Sequence, residues 1–395
     1  MNTSPRSESH SETGSTAPVE PLLPGSTIGV LGGGQLGRML GQVARRMGYR
    51  VNVLAPGKDN PAGQIANLAI DADFTPPLTG TFAKGVQVVT YEFENIPLEA
   101  VEAAAERAPV RPGLRALEIG QNRRLEKAFF ADLGLPVTPT REVASAEACR
   151  QAMEELGGPC VLKTEGQGYD GKGQAVLEGP DDVETAWRAL GEAAGVLERQ
   201  VDLACEVSVV AARGADGSFR DYGVFENDHA DHVLDVTAIG APVSAEVAEQ
   251  AVAAARRVGE ALDVVGTYCL EFFVDRDGVL LVNELAPRPH NSGHLTIEAA
   301  TTCQFEQQLR AICGLPLGET GFHAQAAMAN VLGDLWAHGT PAWDAALGVP
   351  GVKLHVYGKR EARPGRKMGH LTAVADSRDE AVARVREARQ RLVGA

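Results

Sequence analysis

The chain has 395 residues, of which 44% are hydrophobic and 23% are charged, and its formal net charge is −15. This length is enough for about two to three domains of ~150 residues each, and the composition is that of an ordinary soluble globular protein. A general nucleic-acid-binding role is disfavoured because such proteins carry basic faces, although clustered lysines and arginines can still hold a small anionic substrate in a cleft.

The cysteines and the first residues favour a cytoplasmic protein. The six cysteines form no C-x-x-C pair and have no Cys/His spacing typical of zinc sites, so reduced thiols are expected. No apolar run reaches the ~18 residues that a membrane span needs, so no membrane association is expected. Residues 1–24 are rich in Ser, Thr, Pro and Glu, which predicts a disordered tail.

The first domain is predicted to span residues 25–122 and to be a doubly wound α/β unit. Short apolar strands are expected at 27–31, 49–54 and 86–91, with a helix that follows the first strand and ends near residue 48. Strands that alternate with helices indicate a parallel sheet covered on both faces.

An α/β and α+β region follows at 123–320. A helix at 122–133 is expected to lead into a small lid of about 143–208, and a larger unit of about 206–318 comes next. The lid is predicted to have strands at 160–163, 174–177 and 196–199 and helices at 146–156 and 181–194. Residues 321–395 form a small C-terminal domain in this prediction, with a strand at 353–357 and a final helix.

A first glycine loop, Gly32-x-Gly34-x-x-Gly37, follows a predicted strand and opens a helix. This context suits a phosphate at a helix N-terminus. The dinucleotide-binding interpretation also requires an acid near the end of the second strand, and residues 51–56 contain none. Contact with a mononucleotide-like substrate is therefore favoured over a purely structural tight turn, and NAD binding is the least favoured interpretation.

The stretch 162–173 contains a second glycine loop. Lys163 ends the strand before this loop, and the loop has four glycines together with Asp170 and Lys172. Glycines let backbone N–H groups approach a polyphosphate, and lysines supply positive charge for phosphate oxygens. The loop therefore predicts nucleotide binding. The alternative is a flexible surface loop that happens to carry lysines.

A hairpin signal surrounds residues 275–278, with Glu271 on the first strand and Glu284 on the second. If Asp275 opposes Gly278, Glu271 opposes Val282 and Glu284 is its diagonal neighbour, roughly 7–8 Å away. Two such carboxylates can share magnesium ions, and burying them without a cation would be costly. Two solvated acids are the alternative, and a role for Asn283 requires a local irregularity in the strand.

Five sequence strings resemble the 5-(carboxyamino)imidazole ribonucleotide synthase family of ATP-grasp enzymes. They cover residues 28 to about 372 in that family's order, and the last two are quite specific to it. The strings are GGGQLGRML at 32–40, YEFEN at 91–95, GYDGKGQ at 168–174, NELAPRPHNSGH at 283–294 and RPGRKMGHL at 363–371.

The resemblance implies an ATP-grasp fold with ATP between the lid and the larger unit. Residues 198–201 match a hinge that reads adenine through backbone groups, and Glu206 matches the acid that holds the ribose. The full set of ATP contacts implied is Arg123, Lys163, Gly168, Tyr169, Asp170, Gly171, Lys172, Gly173, Gln174, Glu198, Arg199, Gln200, Val201, Glu206, His229, Asn283 and Glu284.

The resemblance also implies the reaction and its other participants. The family converts ATP, bicarbonate and 5-aminoimidazole ribonucleotide into the carbamate, ADP and phosphate in purine biosynthesis, through carboxyphosphate. Magnesium would be held by Glu271 and Glu284, and catalytic roles fall to Asp170 as the base, Lys172 and Arg288. The substrate contacts implied are Gln35, Leu36, Glu94, Tyr169, Arg288, His290, Asn291, Ser292, Lys359 and Arg366. A cytoplasmic homodimer is expected.

Several points stay open at this level. Either Glu92 or Glu94 is expected at the substrate amine, and His294 is either a site residue or a structural histidine. The competing functions are a related ligase that uses formate, an NAD(P)-dependent oxidoreductase, and a nucleotide-binding module without catalysis. The string at 363–371 argues against the first, and the hairpin acids together with the missing strand-end acid argue against the second. The module would not need Asp170 and both glutamates.

Overall fold

The computed structural model describes residues 20–166 and 173–393, and it begins with a parallel α/β unit. Residues 1–19 of the predicted tail lie outside the described residues, whereas Leu22 is anchored by hydrogen bonds to Cys313 and Tyr49. The elements of this unit are β1 (Thr27–Leu31), α1 (Gln35–Arg46), β2 (Arg50–Ala55), β3 (Leu68–Asp71), α2 (Pro76–Ala83), β4 (Val88–Tyr91), α3 (Leu98–Ala105) and α4 (Leu114–Gln121).

The strands of this unit form a parallel sheet in the order β3-β2-β1-β4. Its apolar strand residues pack into two separate clusters, one containing α1 and the other α2 and α3. The predicted doubly wound sheet is therefore confirmed. β3 was missed because its residues are largely exposed and carry only a weak apolar signal.

The next unit is a small antiparallel sheet in the order β5-β8-β6-β7, entered through a helix that leaves the first unit. The helix predicted at 181–194 ends early, since Gly191 and Glu192 adopt left-handed backbone and stop it after residue 189. The elements are α5 (Arg123–Asp132), β5 (Thr140–Val143), α6 (Ala146–Leu156), β6 (Cys160–Thr164), β7 (Gln174–Leu177), α7 (Val183–Ala189) and β8 (Gly195–Arg199).

A large antiparallel sheet follows and continues into the C-terminal region. Its order is β14-β13-β9-β11-β12-β15-β17-β16, with β10 paired to β9. The elements are β9 (Leu203–Arg213), β10 (Phe219–Asp221), β11 (Phe225–Ala230), β12 (Val233–Ile239), α8 (Ala245–Ala261), β13 (Gly266–Asp275), β14 (Leu280–Ala286), α9 (Thr296–Ala299), α10 (Gln304–Ile312), β15 (Gln325–Leu332), α11 (Trp343–Leu347), β16 (Val352–Val356), β17 (Lys367–Ala375) and α12 (Arg378–Arg391).

These sheets bring three regions of the chain around one opening. The small sheet stands apart from the large one, and the C-terminal strands join the large sheet through the β12–β15 pair. This arrangement confirms the predicted sequence of a parallel unit, a two-part α+β unit and a C-terminal unit. Among the helices that the structure describes, none has both the length and the apolar character that a bilayer crossing requires.

Candidate active site

A cleft of about 1900 Å³ lies where the three units meet. It holds most of the residues that the sequence predicted for ATP, substrate and metal, drawn from positions more than 300 residues apart. The predicted residues that line it are Gln35, Leu36, Glu94, Arg123, Lys163, Gln174, Glu198, Arg199, Gln200, Val201, Glu206, His229, Glu271, Asn283, Glu284, Arg288, His290, Asn291, Lys359 and Arg366.

The remaining predicted residues are placed differently. Ser292 is fully buried behind His290, and its hydroxyl lies 2.8 Å from the His290 Nδ1 atom. Gly173 leads into β7 from the end of the second glycine loop. The other predicted residues of that loop are Gly168, Tyr169, Asp170, Gly171 and Lys172, and they lie outside the described residues.

The β13–β14 hairpin has a different register from the one predicted. Asp275 N donates to Val279 O over 3.1 Å, so Asp275 pairs with Val279. Asn283 is then an extra residue in a β-bulge, and Glu271 pairs directly with Glu284 instead of with Val282. The predicted diagonal arrangement is wrong, because an alternating pattern cannot show a bulge. A role for Asn283 in the site required a local irregularity in its strand, and the bulge is that irregularity.

The hairpin acids form a set of oxygen donors that suits magnesium. Glu271 and Glu284 face each other across the two strands, and Asn283 Oδ1 is buried without a hydrogen-bond partner among the described residues. Carboxylate and amide oxygens are hard ligands of the kind that magnesium prefers. The Cys269 sulfur and a His290 nitrogen lie within 4.8 Å of the Glu271 carboxylate, but they do not belong to this hard-ligand set.

His290 holds the Glu271 carboxylate in place. Its Nε2 atom lies 2.6 Å from Glu271 Oε1, and both side chains are almost buried. Burial opposes charge on each group, but their mutual interaction, with Cys269 also next to the ring, raises the pKa of His290 and lowers that of Glu271. Glu271 is therefore an ionised carboxylate at neutral pH.

Next to this pair lie a second buried ion pair, Arg288–Glu94, and the side-chain amide of Asn291. Arg288 makes two hydrogen bonds to Glu94, at 2.5 and 2.7 Å. Burial alone would raise the pKa of Glu94, but the Arg288 charge keeps it below its usual value. Asn291 is 9% exposed, and neither its Oδ1 nor its Nδ2 has a hydrogen-bond partner among the described residues. Such a group is costly to bury unless a ligand completes its hydrogen bonds.

On the lid side of the cleft, Glu198 joins two lysines. Lys163 Nζ lies 2.8 Å from Glu198 Oε2, and Lys127 Nζ lies 3.4 Å from Oε1. Burial alone would raise the pKa of Glu198, but the charges of Lys163 and Lys127 lower it to about 2. Lys127 also donates to the Asn283 carbonyl over 2.8 Å. The network therefore links the lid strands to the β13–β14 hairpin through α5.

We expect Glu198 to make stability depend on pH in the acid range. Its folded pKa of about 2 lies below its unfolded value, so its contribution is complete above about pH 4.5 and is lost as pH falls towards 2. That shift corresponds to roughly 3 kcal/mol. The free energy of unfolding of wild type and Glu198→Gln should therefore differ most at pH 5–7, differ by about half as much at pH 3, and converge as pH falls to 2 and below.

The control for this prediction is Glu155→Gln. Glu155 pairs with Arg141 at 2.8 Å, but both side chains are about half exposed, and such a pair contributes little. A difference between wild type and Glu198→Gln that stays constant from pH 7 to pH 3 would contradict the prediction.

Two residues on α5 belong to this site and were not among the predicted site residues. They are Lys127 and Glu126, whose carboxylate accepts a hydrogen bond from Leu285 N over 2.6 Å. Burial, followed by the nearby Glu284 charge, raises the pKa of Glu126 to about 8. With Arg123, they occupy positions i, i+3 and i+4 of one helix face. That spacing of charges was the signal that could have identified them.

The predicted adenine and ribose region lies along β8, β9 and β11. Glu206 Oε2 lies 3.1 Å from His229 Nδ1. Burial opposes protonation of His229, but the adjacent Glu206 carboxylate raises its pKa. Arg123 lies 3.6 Å from Glu284 of the β13–β14 hairpin.

The side chain of Glu92 occupies the first glycine loop. Gly34 N donates to Glu92 Oε1 over 2.8 Å at the start of α1, and a Cβ atom at Gly34 would lie 2.7 Å from the same oxygen. Burial raises the pKa of Glu92. The Glu92 carboxylate therefore occupies the helix N-terminus, where the sequence suggested a phosphate. The predicted contact of this loop with a mononucleotide-like substrate stays a prediction. Gln35, the next residue, still lines the cleft.

The basic segment near the C-terminus reaches the same cleft. Lys359 Nζ donates to Lys367 O over 2.7 Å, and burial, followed by the charge of Arg366, lowers its pKa to about 8. Arg366 pairs with Asp59 at 2.9 Å. Asp59 also accepts a hydrogen bond from Arg360 N, and Gln64 Nε2 donates to Gly358 O, so these contacts hold the segment against the first unit.

His294 belongs to the interior. It is fully buried, its Nδ1 atom lies 3.0 Å from Gln304 Nε2, and its ring lies 4.8 Å from that of His370. Burial lowers its pKa well below the usual value. His294 also lines the cleft, and its Nε2 atom has no hydrogen-bond partner among the described residues, so its contacts are compatible with a structural role and with a site role.

Comparison with known proteins gives the same division of the chain. Three family models match: a ribonucleotide synthetase preATP-grasp domain at residues 26–121, an ATP-grasp domain at 128–305 and a phosphoribosylaminoimidazole carboxylase C-terminal domain at 326–384. With a nucleotide-sized cleft between the small sheet and the large one, these matches define the chain as a member of the ATP-grasp class of ligases.

Relatives narrow this class to one family. The N5-carboxyaminoimidazole ribonucleotide synthase of Brucella melitensis biotype 1 is 45% identical over 89% of this chain and 97% of its own length. The chain belongs to the N5-carboxyaminoimidazole ribonucleotide synthase family, whose members act in purine biosynthesis.

Solved structures agree with this assignment. The crystal structure of the ADP complex of an N5-carboxyaminoimidazole ribonucleotide synthetase has a TM-score of 0.89 and 40% identity, covering 93% of this chain and 97% of that one. The Aspergillus clavatus synthase in complex with ADP and 5-aminoimidazole ribonucleotide has a TM-score of 0.86 and 29% identity, covering 93% and 98%.

Proposed function

We propose that this chain uses ATP and bicarbonate to carboxylate the amino group of 5-aminoimidazole ribonucleotide. One observation carries the proposal: Arg288, His290 and the unpartnered Asn291 line the same cleft as the Glu271–Glu284 hairpin and Lys359. The cleft combines a pair of acids with a wall of cationic and amide side chains. Such a cleft can hold a nucleotide, a small oxyanion and a phosphorylated substrate together. The A. clavatus relative, which binds ADP and the same ribonucleotide, supports this choice.

In this proposal ATP lies between the lid and the large sheet. Lys163 and the second glycine loop, with Lys172, contact its phosphates, residues 198–201 contact its adenine, and Glu206 contacts its ribose. Arg123 and His229 complete its surroundings. Magnesium, held by Glu271 and Glu284 with Asn283 beside them, would neutralise charge on the phosphates.

The chemistry has two parts. A bicarbonate oxygen forms a bond to the γ-phosphorus while the bond to the ADP oxygen breaks, which gives carboxyphosphate and ADP. Carboxyphosphate then splits into phosphate and carbon dioxide, and the substrate amine forms a new bond to that carbon. The amine loses one proton, and Asp170 is the proposed base that accepts it.

Fixed charges and exclusion of water are what the chain contributes to these steps. The proposed bicarbonate wall consists of Arg288, His290 and Asn291, and Glu94 holds Arg288 in place. Preorganised donors of this kind stabilise developing negative charge. Lys359 and Arg366 are the proposed contacts of the substrate phosphate, with Gln35, Leu36 and Tyr169 near the rest of the ribonucleotide. Closure of the lid would protect carboxyphosphate from water.

The test is ADP release from ATP with magnesium and bicarbonate, measured with and without 5-aminoimidazole ribonucleotide. We expect release to rise with the ribonucleotide and to match the carbamate formed one for one. Formate in place of bicarbonate should not support it. Tight ATP binding with no response to the ribonucleotide would reject this acceptor.

The cytoplasmic location and the homodimer expected from the family resemblance are part of this proposal. Sedimentation of the purified protein at micromolar concentration tests the second of these. A single species of 41.6 kDa, the mass of one chain, would contradict it.

A further inference from the structure

Three glutamines on α10 are fully buried: Gln304, Gln307 and Gln308. Glutamine is rarely buried, because its amide loses up to four hydrogen bonds to water unless the fold replaces them. Each of the three amides bonds a different segment of the chain. One of those segments is the wall of the active site.

Gln304 holds the main chain of His290 from both sides. His290 N donates to Gln304 Oε1 over 2.8 Å, and Gln304 Nε2 donates to His290 O over 2.7 Å. The side chain therefore satisfies both backbone groups of one residue, just before the short 3₁₀ helix Asn291–Leu295. The imidazole of His290 projects from this fixed backbone to Glu271.

The two backbone bonds also fix the orientation of the amide. A backbone N–H can only donate and a carbonyl can only accept, so Gln304 presents Oε1 to His290 N and Nε2 to His290 O. The same Nε2 lies 3.0 Å from His294 Nδ1, which must then be an acceptor. His294 therefore carries its proton on Nε2, and the amide is held in place by His294 as well as by His290.

We propose that Gln304 is a positioning residue for His290 and, through it, for the Glu271 carboxylate and the bicarbonate wall. This inference rests on the role of His290 in the proposed function. Without this clamp, meaning the two hydrogen bonds between the Gln304 amide and the His290 backbone, that backbone is free to shift and the imidazole can move relative to Glu271. Displacement of a positioning group by about 1 Å costs on the order of a hundredfold in rate.

Gln307 provides a matched control on the same helix. It also clamps the backbone N–H and carbonyl of one residue, Gly318, at 2.9 and 2.6 Å, and it is equally buried. Neither Gln307 nor Gly318 lines the cleft. Gln304→Met and Gln307→Met therefore remove the same kind of amide–backbone clamp from the same helix, and only the first acts on the site.

The experiment compares these two variants in steady-state kinetics and thermal unfolding. We expect similar losses of melting temperature in both. We expect Gln304→Met alone to raise the KM for bicarbonate about tenfold and to lower kcat, with the KM for ATP within about twofold of wild type. Equal kinetics in the two variants would overturn the proposal, because a purely structural role predicts that result.

A second variant covers the case in which Gln304→Met fails to fold. A Cβ atom at Gly293 would lie 2.5 Å from Gln304 Oε1, so Gly293→Ala pushes the amide aside without removing it. The same change in the KM for bicarbonate is expected, at smaller size. An unchanged KM for bicarbonate in Gly293→Ala would count against the clamp.

His290→Ala separates this inference from the proposed function. If His290→Ala leaves the KM for bicarbonate and kcat unchanged, the proposed role of His290 is wrong and the positioning role is overturned with it. If His290→Ala lowers activity while Gln304→Met behaves like Gln307→Met, the proposed function stands and only the positioning role is rejected.

Discussion

Replacing Glu271 by glutamine should lower kcat by about a hundredfold to a thousandfold, the range typical for loss of one preorganised group that stabilises transition-state charge. The substitution keeps the size of the side chain and removes its charge. Glu271 faces Glu284 across the hairpin and is ionised through its contact with His290. The neutral amide would leave Glu284 as the one charged carboxylate of the pair, so the dependence on magnesium concentration should move to higher concentrations.

The control is Glu298→Gln. Glu298 also pairs with a histidine, His355, at 2.8 Å, and the two side chains are 21% and 24% exposed. Neither residue lines the cleft. Both variants lose a carboxylate–imidazole pair of similar burial, so equal activity in the two variants would reject the metal role of the hairpin. Magnesium titration of kcat, with calorimetric binding of ADP, distinguishes loss of metal from loss of nucleotide.

Replacing Arg288 by methionine is expected to have the second large effect. It removes the guanidinium from the bicarbonate wall and should lower kcat by about a hundredfold or more. It also leaves Glu94 buried without its partner, and breaking a buried pair in this way typically costs 3–5 kcal/mol of stability. Reduced activity alone would therefore not distinguish chemistry from unfolding.

A double variant makes that distinction. Glu94→Gln combined with Arg288→Met removes the unpaired charge, and a neutral replacement of a buried pair is often close to neutral in stability. We expect the double variant to recover most of the unfolding free energy and none of the carboxylation. Recovery of both would show that Arg288 acts through stability and not at the reacting atoms.

The sequence predicted which residues line the site better than it predicted which of them contact each other. Lys163, Glu206, Glu271 and Glu284 were identified from loops, hinge and hairpin, and all of them line one cleft. Only Glu284 lies inside one of the five strings; Lys163 and Glu271 were identified from the local pattern of strand and loop residues, and Glu206 from the resemblance to the family. The family and its fold followed from the same strings, and the comparisons confirmed both.

What the sequence could not give were contacts between distant segments. The bulge at Asn283 depends on how β13 and β14 pair, and no alternating pattern encodes an extra residue. Lys127 reaches Glu198, 71 positions later, only after α5 has packed against both sheets. Glu92 and Gly34 meet because β1 and β4 are neighbours in the first sheet. Such pairs are fixed by tertiary packing and not by local propensity.

The position of the Glu92 carboxylate bears on the prediction of nucleotide binding from short sequence motifs. A G-x-G-x-x-G pattern between a strand and a helix marks a pocket for an anion, but the anion can be supplied by the protein. In this chain the deciding residue lies 58 positions from Gly34, beyond the window of any short motif. The N–H groups at the start of the helix are available to an external phosphate only where no side chain of the protein accepts from them. Exchanging Glu92 for a small neutral residue would therefore free Gly34 N for an external anion.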